Sequence, residues 1–350
     1  MRTLILAAGR FGPELRDQIA AGREPRLDVH ELQAALGADV LDFSDVQASR
    51  ARPVRLARAA GESAGLAALG ALAAPGYDAI LTTGEDIGIP LAALLLKRRR
   101  APAHTLISHT LKPWKKRVFF HLLRVHRRID RILCYASSEE RLITQGLGIP
   151  AAKVRRISYH ADVGFFRPLP ELAREPDLIC AAGQLLRDYD TLIEAVRGLP
   201  VRLKIAAGSP WISSELRPGG PLPPNVEWRR YDRFELRQLY ARSAVAVVPI
   251  FENDYQTGIS TILEMMAMGK CVIATRTRGQ TDTIEDGVTG VYVPPGDRAA
   301  LRNAIVRALE NPEEAARIGA AARKFVEREA SLELFVSRIA ETVRASVAAR

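Results

Sequence analysis

Short apolar runs alternate along this chain with stretches of helical period, and they fall into two groups. The runs of the first half cover residues 3–8, 38–43, 78–83, 103–108, 131–136 and 153–158. Those of the second half cover residues 178–182, 201–206, 226–229, 244–249, 271–274 and 290–293. Strands that are apolar throughout and alternate with helices are typical of parallel sheets covered on both faces. The pattern predicts an α/β protein with two Rossmann-like parallel sheets.

Helices are expected between these runs. They are predicted over residues 53–74, 88–97, 113–127, 137–146, 188–197, 233–242, 260–268, 298–310, 312–328 and 331–348. Residues 161–177 contain three prolines and no clear period, which is typical of a linker, and a Pro- and Gly-rich loop is predicted at 219–224. Because 350 residues exceed what one core usually supports, two domains are expected.

Composition narrows the class of protein. The apolar fraction of 47% and the charged fraction of 26% are ordinary for a globular protein. No apolar run is long enough to predict a transmembrane helix. The three cysteines are far apart and each lies in a predicted strand. They are interpreted as reduced core residues of a cytoplasmic protein, not as a disulfide set or a metal site.

The net charge of +10 is concentrated in one segment. Residues 97–131 hold twelve Lys or Arg and one acid, a local charge of +11, so the rest of the chain is near −1. The predicted helix 113–127 mixes these cations with aromatic side chains, which suits either an anionic membrane surface or an acidic acceptor. The alternative is a core helix with a solvated basic face. If this helix packs on the sheet, Phe119, Leu122 and Leu123 are buried and only the cations are free to act.

Residues 253–275 form the most informative stretch, which is predicted to be a loop, a helix and a buried strand after the run 244–249. Ser260 or Thr261 is expected to cap the helix. A loop after a parallel strand lies at the sheet edge where α/β proteins bind ligands, and the start of a helix favours a phosphate. Gly258 allows a ligand to approach the backbone closely. Glu264 lies among apolar helix residues, where two sugar hydroxyls would satisfy its carboxylate.

This stretch resembles the signature of the family-four glycosyltransferases, which are retaining enzymes of the GT-B fold. Glu264 matches the second Glu of that signature, which in the family holds the ribose hydroxyls of the nucleotide. Gln256 occupies the position of the first Glu, which contacts the donor sugar. Gln keeps hydrogen-bonding capacity and loses the charge. The loop residues Thr257, Gly258, Ile259 and Ser260 complete the expected donor site.

The resemblance implies further donor contacts after the run 178–182. In the family this position supplies two cations for the diphosphate. Here Gly183 is followed by Gln184 where an Arg is usual, and Arg187 is the cation that can take the role. The alternative is a surface Arg187 paired with Asp188. Asp188 and Asp190 have the spacing of a metal motif but fall at a predicted helix start, and no metal is expected.

Weaker parts of the resemblance add residues in both halves. Arg230 and Tyr231 are expected beside the base, and His109 beside the donor sugar, with a capping role as the alternative for His109. Gly9 and Gly12 follow the first strand, where family members place a glycine-rich loop against the diphosphate and acceptor. A plain turn explains these two glycines equally well.

The resemblance implies two Rossmann-like domains that face a central cleft. Residues 1–165 would bind the acceptor and residues 166–330 the nucleotide sugar, and residues 331–350 would pack back toward the first domain. The expected reaction moves a sugar from a nucleotide-diphosphate sugar to a hydroxyl of a glycan, lipid-linked or small-molecule acceptor. His109, Arg187 and Gln256 are the expected catalytic residues. The co-substrate is the nucleotide sugar, with no other cofactor.

A second hypothesis is a catalytically decayed protein of this fold that binds nucleotide sugars or anionic surfaces. Two signature positions carry Gln where the family has charged residues, as a decayed site would. Specific nucleic-acid binding is not expected, because aromatic residues are few and no recognition motif is present. The expected location is the cytoplasm, with peripheral attachment to the inner face of the membrane as an option through residues 97–131.

Overall fold

The structure is a computed structural model and describes residues 1–208 and 220–350. Within these residues the chain forms two compact units. The first unit comprises residues 1–16, 26–158 and 333–350, and the second unit comprises residues 17–25 and 159–332. Gly219, the first residue of the loop predicted at 219–224, lies outside the described residues.

The first unit contains a parallel sheet of six strands, counted within the described residues. The strands are β1 (Thr3–Leu6), β2 (Asp39–Leu41), β3 (Ala79–Thr82), β4 (Ala103–Ile107), β5 (Arg131–Cys134) and β6 (Val154–Arg156). Their order is β2-β1-β3-β4-β5-β6. The helices are α1 (Pro13–Ala20), α2 (Asp28–Leu36), α3 (Phe43–Ala48), α4 (Arg52–Arg58), α5 (Glu62–Ala73), α6 (Glu85–Leu95), α7 (Trp114–His121) and α8 (Ser137–Arg141). Of these, α1 continues into residues 17–20 of the second unit.

The second unit contains another six-stranded parallel sheet, again within the described residues. The strands are β7 (Glu175–Ala182), β8 (Arg202–Ala206), β9 (Val226–Arg229), β10 (Ser243–Val248), β11 (Val272–Thr275) and β12 (Val291–Val293). Their order is β12-β11-β10-β7-β8-β9. The helices are α9 (Tyr189–Val196), α10 (Arg233–Arg242), α11 (Ile259–Ala267), α12 (Arg298–Glu310) and α13 (Pro312–Glu329). Helix α14 (Leu332–Ala348) follows and lies almost wholly in the first unit.

The order of the strands creates a switch point in each sheet. From β7 the chain adds β8 and β9 on one side, then returns to place β10 on the other side. The first sheet does the same around β1, with β2 on one side and β3 on the other. Loops that leave neighbouring strands in opposite directions open a crevice at the carboxyl edge of the sheet, where α/β proteins bind ligands.

The α/β class and the two parallel sheets are as predicted, and the largest errors lie in the helices of the first unit. The helix predicted over 53–74 is two helices, because Gly61 adopts φ +123° between them. The helix predicted over 113–127 ends at His121, and Arg124 adopts a left-handed φ of 50° before a short 3₁₀ turn. Helices α1 to α3 were not predicted, because they are short and weakly apolar.

The segment expected to be a linker is instead packed into the second unit. Phe165, Phe166 and Leu169 are buried in its core. Asp162 accepts a hydrogen bond from the backbone N–H of Gly164, which shapes the turn before these aromatic residues. The division between units falls after Ser158 and after Leu332, whereas the sequence-based boundaries lie after residues 165 and 330.

Gly319 of α13 lies against the backbone at the end of α11. A Cβ at this position would lie 2.1 Å from the carbonyl oxygen of Gly269. We therefore expect Gly319→Ala to destabilise the protein by about 1–3 kcal/mol through overpacking, although Ala is the better helix former by about 1 kcal/mol. Urea unfolding would measure this. Ala316→Ser on the exposed face of α13 is the control, and a more stable Gly319→Ala protein would contradict the close packing.

Candidate functional site

A cavity of about 270 Å³ opens in the second unit at the switch point between β7 and β10. Its walls come from the chain after β7, the end of β8, helix α10 and the start of α11. The lining residues are Ala182, Gly183, Gln184, Leu185, Arg187, Ala206, Gly208, Tyr231, Arg233, Leu236, Tyr240, Thr257, Gly258, Ser260, Thr261 and Glu264. Most of the donor-site residues predicted for this half therefore line one cavity.

Helix α11 begins at this cavity. Its N-cap is Gly258, which adopts φ +82° and offers no side chain, so the prediction that Ser260 or Thr261 caps the helix is wrong. The first backbone N–H groups of any α-helix lack partners within the helix. Thr257, Gly258, Ser260 and Thr261 all line the cavity, so this end of the helix presents N–H donors and a positive dipole end to it.

Two amide side chains that sequence reasoning missed shape the loop before α11. The Asn253 side-chain oxygen accepts hydrogen bonds from the Tyr255 N–H and the Thr257 hydroxyl. Gln280 is fully buried and donates to the carbonyl oxygen of Thr257 at 3.2 Å. Gly279 has no room for a Cβ, which would lie 2.2 Å from the Tyr255 carbonyl oxygen. The loop is thus fixed from both sides before it reaches the cavity.

Arg187 is buried and lines this cavity, so the alternative of a surface Arg paired with Asp188 is wrong. Its guanidinium donates to the carbonyl oxygens of Ala182 and Leu185 at 3.0 and 2.8 Å, and to the Thr261 hydroxyl at 3.2 Å. A guanidinium has five N–H groups, so two are left beyond these bonds. Burial lowers the pKa of Arg187, and an anion in the cavity would offset the cost of burying its charge.

The backbone around Arg187 is unusual in ways that serve its position. Leu186 adopts a left-handed φ of 52°, which turns the chain back toward β10. Gly183 adopts φ +99°, and a Cβ there would lie 2.3 Å from an Arg187 nitrogen. Only glycine fits at Gly183 without displacing the guanidinium. Asp188 caps α9 by accepting from the Thr191 N–H, which agrees with its interpretation as a helix start.

Glu264 lines the same cavity and has a partner that sequence reasoning missed. The Arg233 guanidinium donates to Glu264 Oε1 at 2.9 Å. Burial raises the pKa of Glu264, while Arg233, His160 and Arg187 act to lower it. The Glu264 carboxylate in turn raises the pKa of Arg233. Arg233 follows Asp232, the N-cap of α10, and a charged residue at a helix start gave no sequence signal that it faces a ligand cavity.

The remaining predicted residues of this unit lie around the cavity in different ways. Tyr231 lines it, and its hydroxyl donates to Glu227 while Arg229 stacks 3.6 Å from its ring centre. Arg230 is exposed, with its side chain beside Gly208 of the lining. Ile259 is the first residue of α11 and lies outside the lining. Gln256 is also outside it, and its Oε1 atom is buried without a hydrogen bond in the described part of the chain.

His109, Gly9 and Gly12 belong to the first unit, at the carboxyl edge of its own sheet. The His109 side chain is exposed, and its Nε2 lies 3.1 Å from the carbonyl oxygen of Thr83. Gly9 and Gly12 flank Phe11, whose N–H donates to the Asp42 carboxylate. This turn and His109 follow β1 and β4, and Thr83 follows β3, so all three lie near the switch point of the first sheet.

Two buried carboxylates that sequence reasoning missed hold the backbone of residues 109–111. Glu85 accepts from the N–H groups of His109 and Thr110 and from Lys116 Nζ at 2.7 Å. Burial acts to raise the pKa of Glu85, but His109 and Lys116 outweigh it and hold that pKa below its usual value. Glu139 accepts from the Leu111 N–H. Its burial raises its pKa from 4.5 to about 7, opposed by that hydrogen bond and reinforced by Glu85.

No group of three or more His, Cys, Asp or Glu side chains is arranged to hold a metal ion in residues 1–208 and 220–350. The helices of the same residues include none that is long and apolar enough to cross a membrane. The cysteines Cys134, Cys180 and Cys271 are buried, as predicted for core residues, and none of them forms a disulfide bond within the described residues.

The pairing of Arg233 with Glu264 yields a stability prediction. We expect Arg233→Leu to destabilise the protein by about 3 kcal/mol, because it leaves the buried carboxylate without its partner. Adding Glu264→Leu should recover much of this loss, since no uncompensated charge is then buried. Urea unfolding of the two single variants and the double variant measures the coupling. Additive losses would show that the two side chains do not depend on each other.

The raised pKa of Glu139 predicts a pH dependence. Between the unfolded pKa near 4.5 and the folded pKa of about 7, the folded state binds more protons than the unfolded state. The free energy of unfolding should therefore fall as the pH rises through this window, by about 3 kcal/mol for this group. Urea unfolding across the window should show a smaller fall for Glu139→Gln than for wild type. Glu140→Gln, on the same helix, should keep the full fall, and equal falls in all three proteins would contradict the assignment.

Comparison with known proteins agrees with this geometry. Residues 176–311 match the family model described as Glycosyl transferases group 1. The alpha-D-kanosaminyltransferase of Streptomyces kanamyceticus is 25% identical over 247 residues, which are 65% of this chain and 63% of that protein. The match thus spans less than two thirds of the curated relative.

Solved structures resemble the whole chain. HepE of Anabaena in complex with UDP-glucose has a TM-score of 0.71 and 17% identity, covering 99% of this chain and 100% of HepE. Sucrose-phosphate synthase of Thermosynechococcus elongatus has a TM-score of 0.72 and 19% identity, covering 100% of both chains. At these identities the likeness establishes the fold. The chain therefore has the GT-B fold, and residues 176–311 of its second unit match the Glycosyl transferases group 1 model.

Proposed function

We propose that the protein transfers a sugar from a nucleotide-diphosphate sugar to an acceptor hydroxyl. The observation that carries this proposal is the convergence of Arg187 and the start of α11 on one cavity, joined by the hydrogen bond from Arg187 to Thr261. A buried guanidinium and a helix N-terminus are two elements that stabilise phosphate. Charge that develops on a departing nucleoside diphosphate would be stabilised at this point without a need for the groups to reorganise.

Glu264 suits the ribose of the same donor. Arg233 holds one carboxylate oxygen, and Arg233 and Glu264 both line the cavity. The carboxylate can accept hydrogen bonds from ribose hydroxyls while it stays paired with Arg233. Tyr231, at the rim made by the end of β9, is the candidate neighbour of the base, with Arg230 beside it.

The uridine nucleotides are the first donors to test. HepE, which shares the fold, has been solved with UDP-glucose and with UDP. We propose retention of the anomeric configuration, in line with the sequence signature around Glu264. Gln256 would contact the donor sugar as a neutral hydrogen-bonding group. The first unit would serve the acceptor, with His109 and the turn of Gly9 and Gly12 at the carboxyl edge of its sheet.

Calorimetric titration with UDP tests the donor site. We expect Arg187→Met to weaken UDP binding by about 10- to 100-fold, because a charge-assisted hydrogen bond contributes about 1.5–3 kcal/mol. Uridine, which has no phosphate, should lose less affinity than UDP for the same variant. Arg197→Met is the matched control, since Arg197 is exposed at the end of α9 and pairs with Glu194. Equal UDP affinity of wild type and Arg187→Met would overturn the proposed phosphate contact.

Glu264 is tested with a ligand that lacks its proposed partner. Glu264→Gln should weaken UDP binding, whereas 2′,3′-dideoxy-UDP should bind wild type and variant with similar affinity. Non-additive losses are expected when a variant and a ligand remove the same contact. A Glu264→Gln variant that weakens both ligands equally would exclude direct ribose contact.

A turnover measurement distinguishes an active glycosyltransferase from a catalytically decayed protein that only binds the nucleotide sugar. Release of UDP from UDP-glucose in the presence of candidate acceptors, with proton NMR of the product anomer, reports both activity and stereochemistry. A protein that binds the nucleotide sugar without turnover, and gains turnover on Gln256→Glu, would favour the binding-protein hypothesis. An inverted product would overturn the proposed retention.

A further inference from the structure

An apolar row is exposed on helix α7 in the middle of the most basic part of the chain. Trp114, Val118 and Leu122 are spaced four residues apart, so they lie along one face of the helix. Their exposed fractions are 70%, 37% and 76%, and Leu123 next to them is 49% exposed. The expectation that Leu122 and Leu123 are buried is therefore wrong. Phe120 fills the core instead, because the helix ends at His121 before it can turn its last leucines inward.

Four cations around this row have no carboxylate partner among the described residues. Lys115, Arg117, Arg124 and Arg127 are exposed, and none of them forms an ion pair within the described residues. Lys116 is different, because it is held by Glu85 and Asp86. The only acid between residues 97 and 131 is Asp130, which pairs with Arg350. The face thus combines an apolar row with uncompensated positive charge.

We propose that this face of α7 binds the surface of an anionic lipid bilayer. An amphipathic helix with such a face lies in the plane of the membrane, with its apolar side chains at the boundary between headgroups and acyl chains. Trp favours that boundary, and each cation near an anionic surface adds to the attraction. A second copy of this chain fits less well, because a symmetric contact through this face would bring like charges together. Large exposed apolar side chains in one row are unusual without a partner.

This inference deepens the proposed function, since a lipid-surface contact would bring the protein to a lipid-linked acceptor. It does not depend on turnover. Lipid binding can be measured without donor or acceptor, and UDP binding can be measured without lipid. Failure of one proposal is therefore distinguishable from failure of the other.

Vesicle flotation of the full chain tests the proposal. We expect binding to vesicles of phosphatidylcholine with phosphatidylglycerol and little binding to phosphatidylcholine alone. The triple variant Trp114→Ser, Val118→Ser, Leu122→Ser should bind these vesicles at least about tenfold more weakly than wild type. The double variant Lys115→Ser, Arg117→Ser should also bind more weakly. Binding of the wild-type protein should weaken as the salt concentration rises.

Matched controls come from another exposed helix of the first unit. Helix α4 carries exposed Arg52, Arg55 and Leu56 without an apolar row. The triple variant Arg52→Ser, Arg55→Ser, Leu56→Ser should bind the vesicles as wild type does. UDP binding and the urea unfolding midpoint of each variant show that it is folded.

Insertion of the apolar row into the bilayer can be detected by quenching of Trp114 fluorescence. Brominated lipids placed in the anionic vesicles should quench the fluorescence of wild type, and Trp114→Phe should lose that additional quenching. The proposal is overturned if wild type does not float with anionic vesicles at low salt, or if the serine triple variant floats equally well. It is likewise overturned if RNA or an acidic protein binds the chain and depends on the cations but not on the apolar row.

Discussion

The burial of the Arg187 guanidinium is the constraint on which the second unit's cavity depends. A cation away from water must be surrounded by acceptors, and here two carbonyl oxygens and one hydroxyl supply them. Those acceptors lie at the end of β7, on the chain that follows it, and on the first turn of α11, so one side chain connects the segments that border the switch point. Gly183 and Leu186, on the same segment as Arg187, adopt left-handed backbone conformations. The cavity keeps its shape because these groups cannot move independently.

The lining of the cavity also contains a pair of opposite charges, Arg233 and Glu264. Glu264 would be a poor residue for the interior of an apolar helix if Arg233 did not hold one of its oxygens. With that bond in place, the carboxylate is fixed in direction and still able to accept from a ligand. The cavity therefore offers positive charge near Arg187 and the helix start, and an oriented acceptor at Glu264. This polarity suits the phosphates and the ribose hydroxyls of the proposed nucleoside diphosphate ligand.

The first unit buries negative charge where the second unit buries positive charge. The turn after β4 presents backbone N–H groups at the carboxyl edge of the sheet. The buried carboxylates of Glu85 and Glu139 accept hydrogen bonds from these N–H groups. Lys116 of α7 balances Glu85, so the helix that carries the exposed apolar row is joined to the turn that carries His109. A helix with its outer face exposed is stable here because its inner face contributes both Phe120 and this buried ion pair.

The sequence by itself determined the fold class and indicated several residues that line the cavity, because both depend on local pattern. Apolar runs of strand length separated by helical stretches specify a parallel α/β fold, and Gly183, Arg187, Gly258 and Glu264 lie at strand ends and helix starts that the same pattern defines. Tertiary structure decided which polar side chains contact the residues of the site and its supporting loops. Arg233, Gln280, Glu85 and Glu139 resemble ordinary polar residues of helices or loops, and their roles arise from burial against distant segments. The early end of α7 could not be predicted from the sequence either, because the apolar character of Leu122 and Leu123 favours burial. Only the packing of neighbouring elements decides which of these side chains fit in the core.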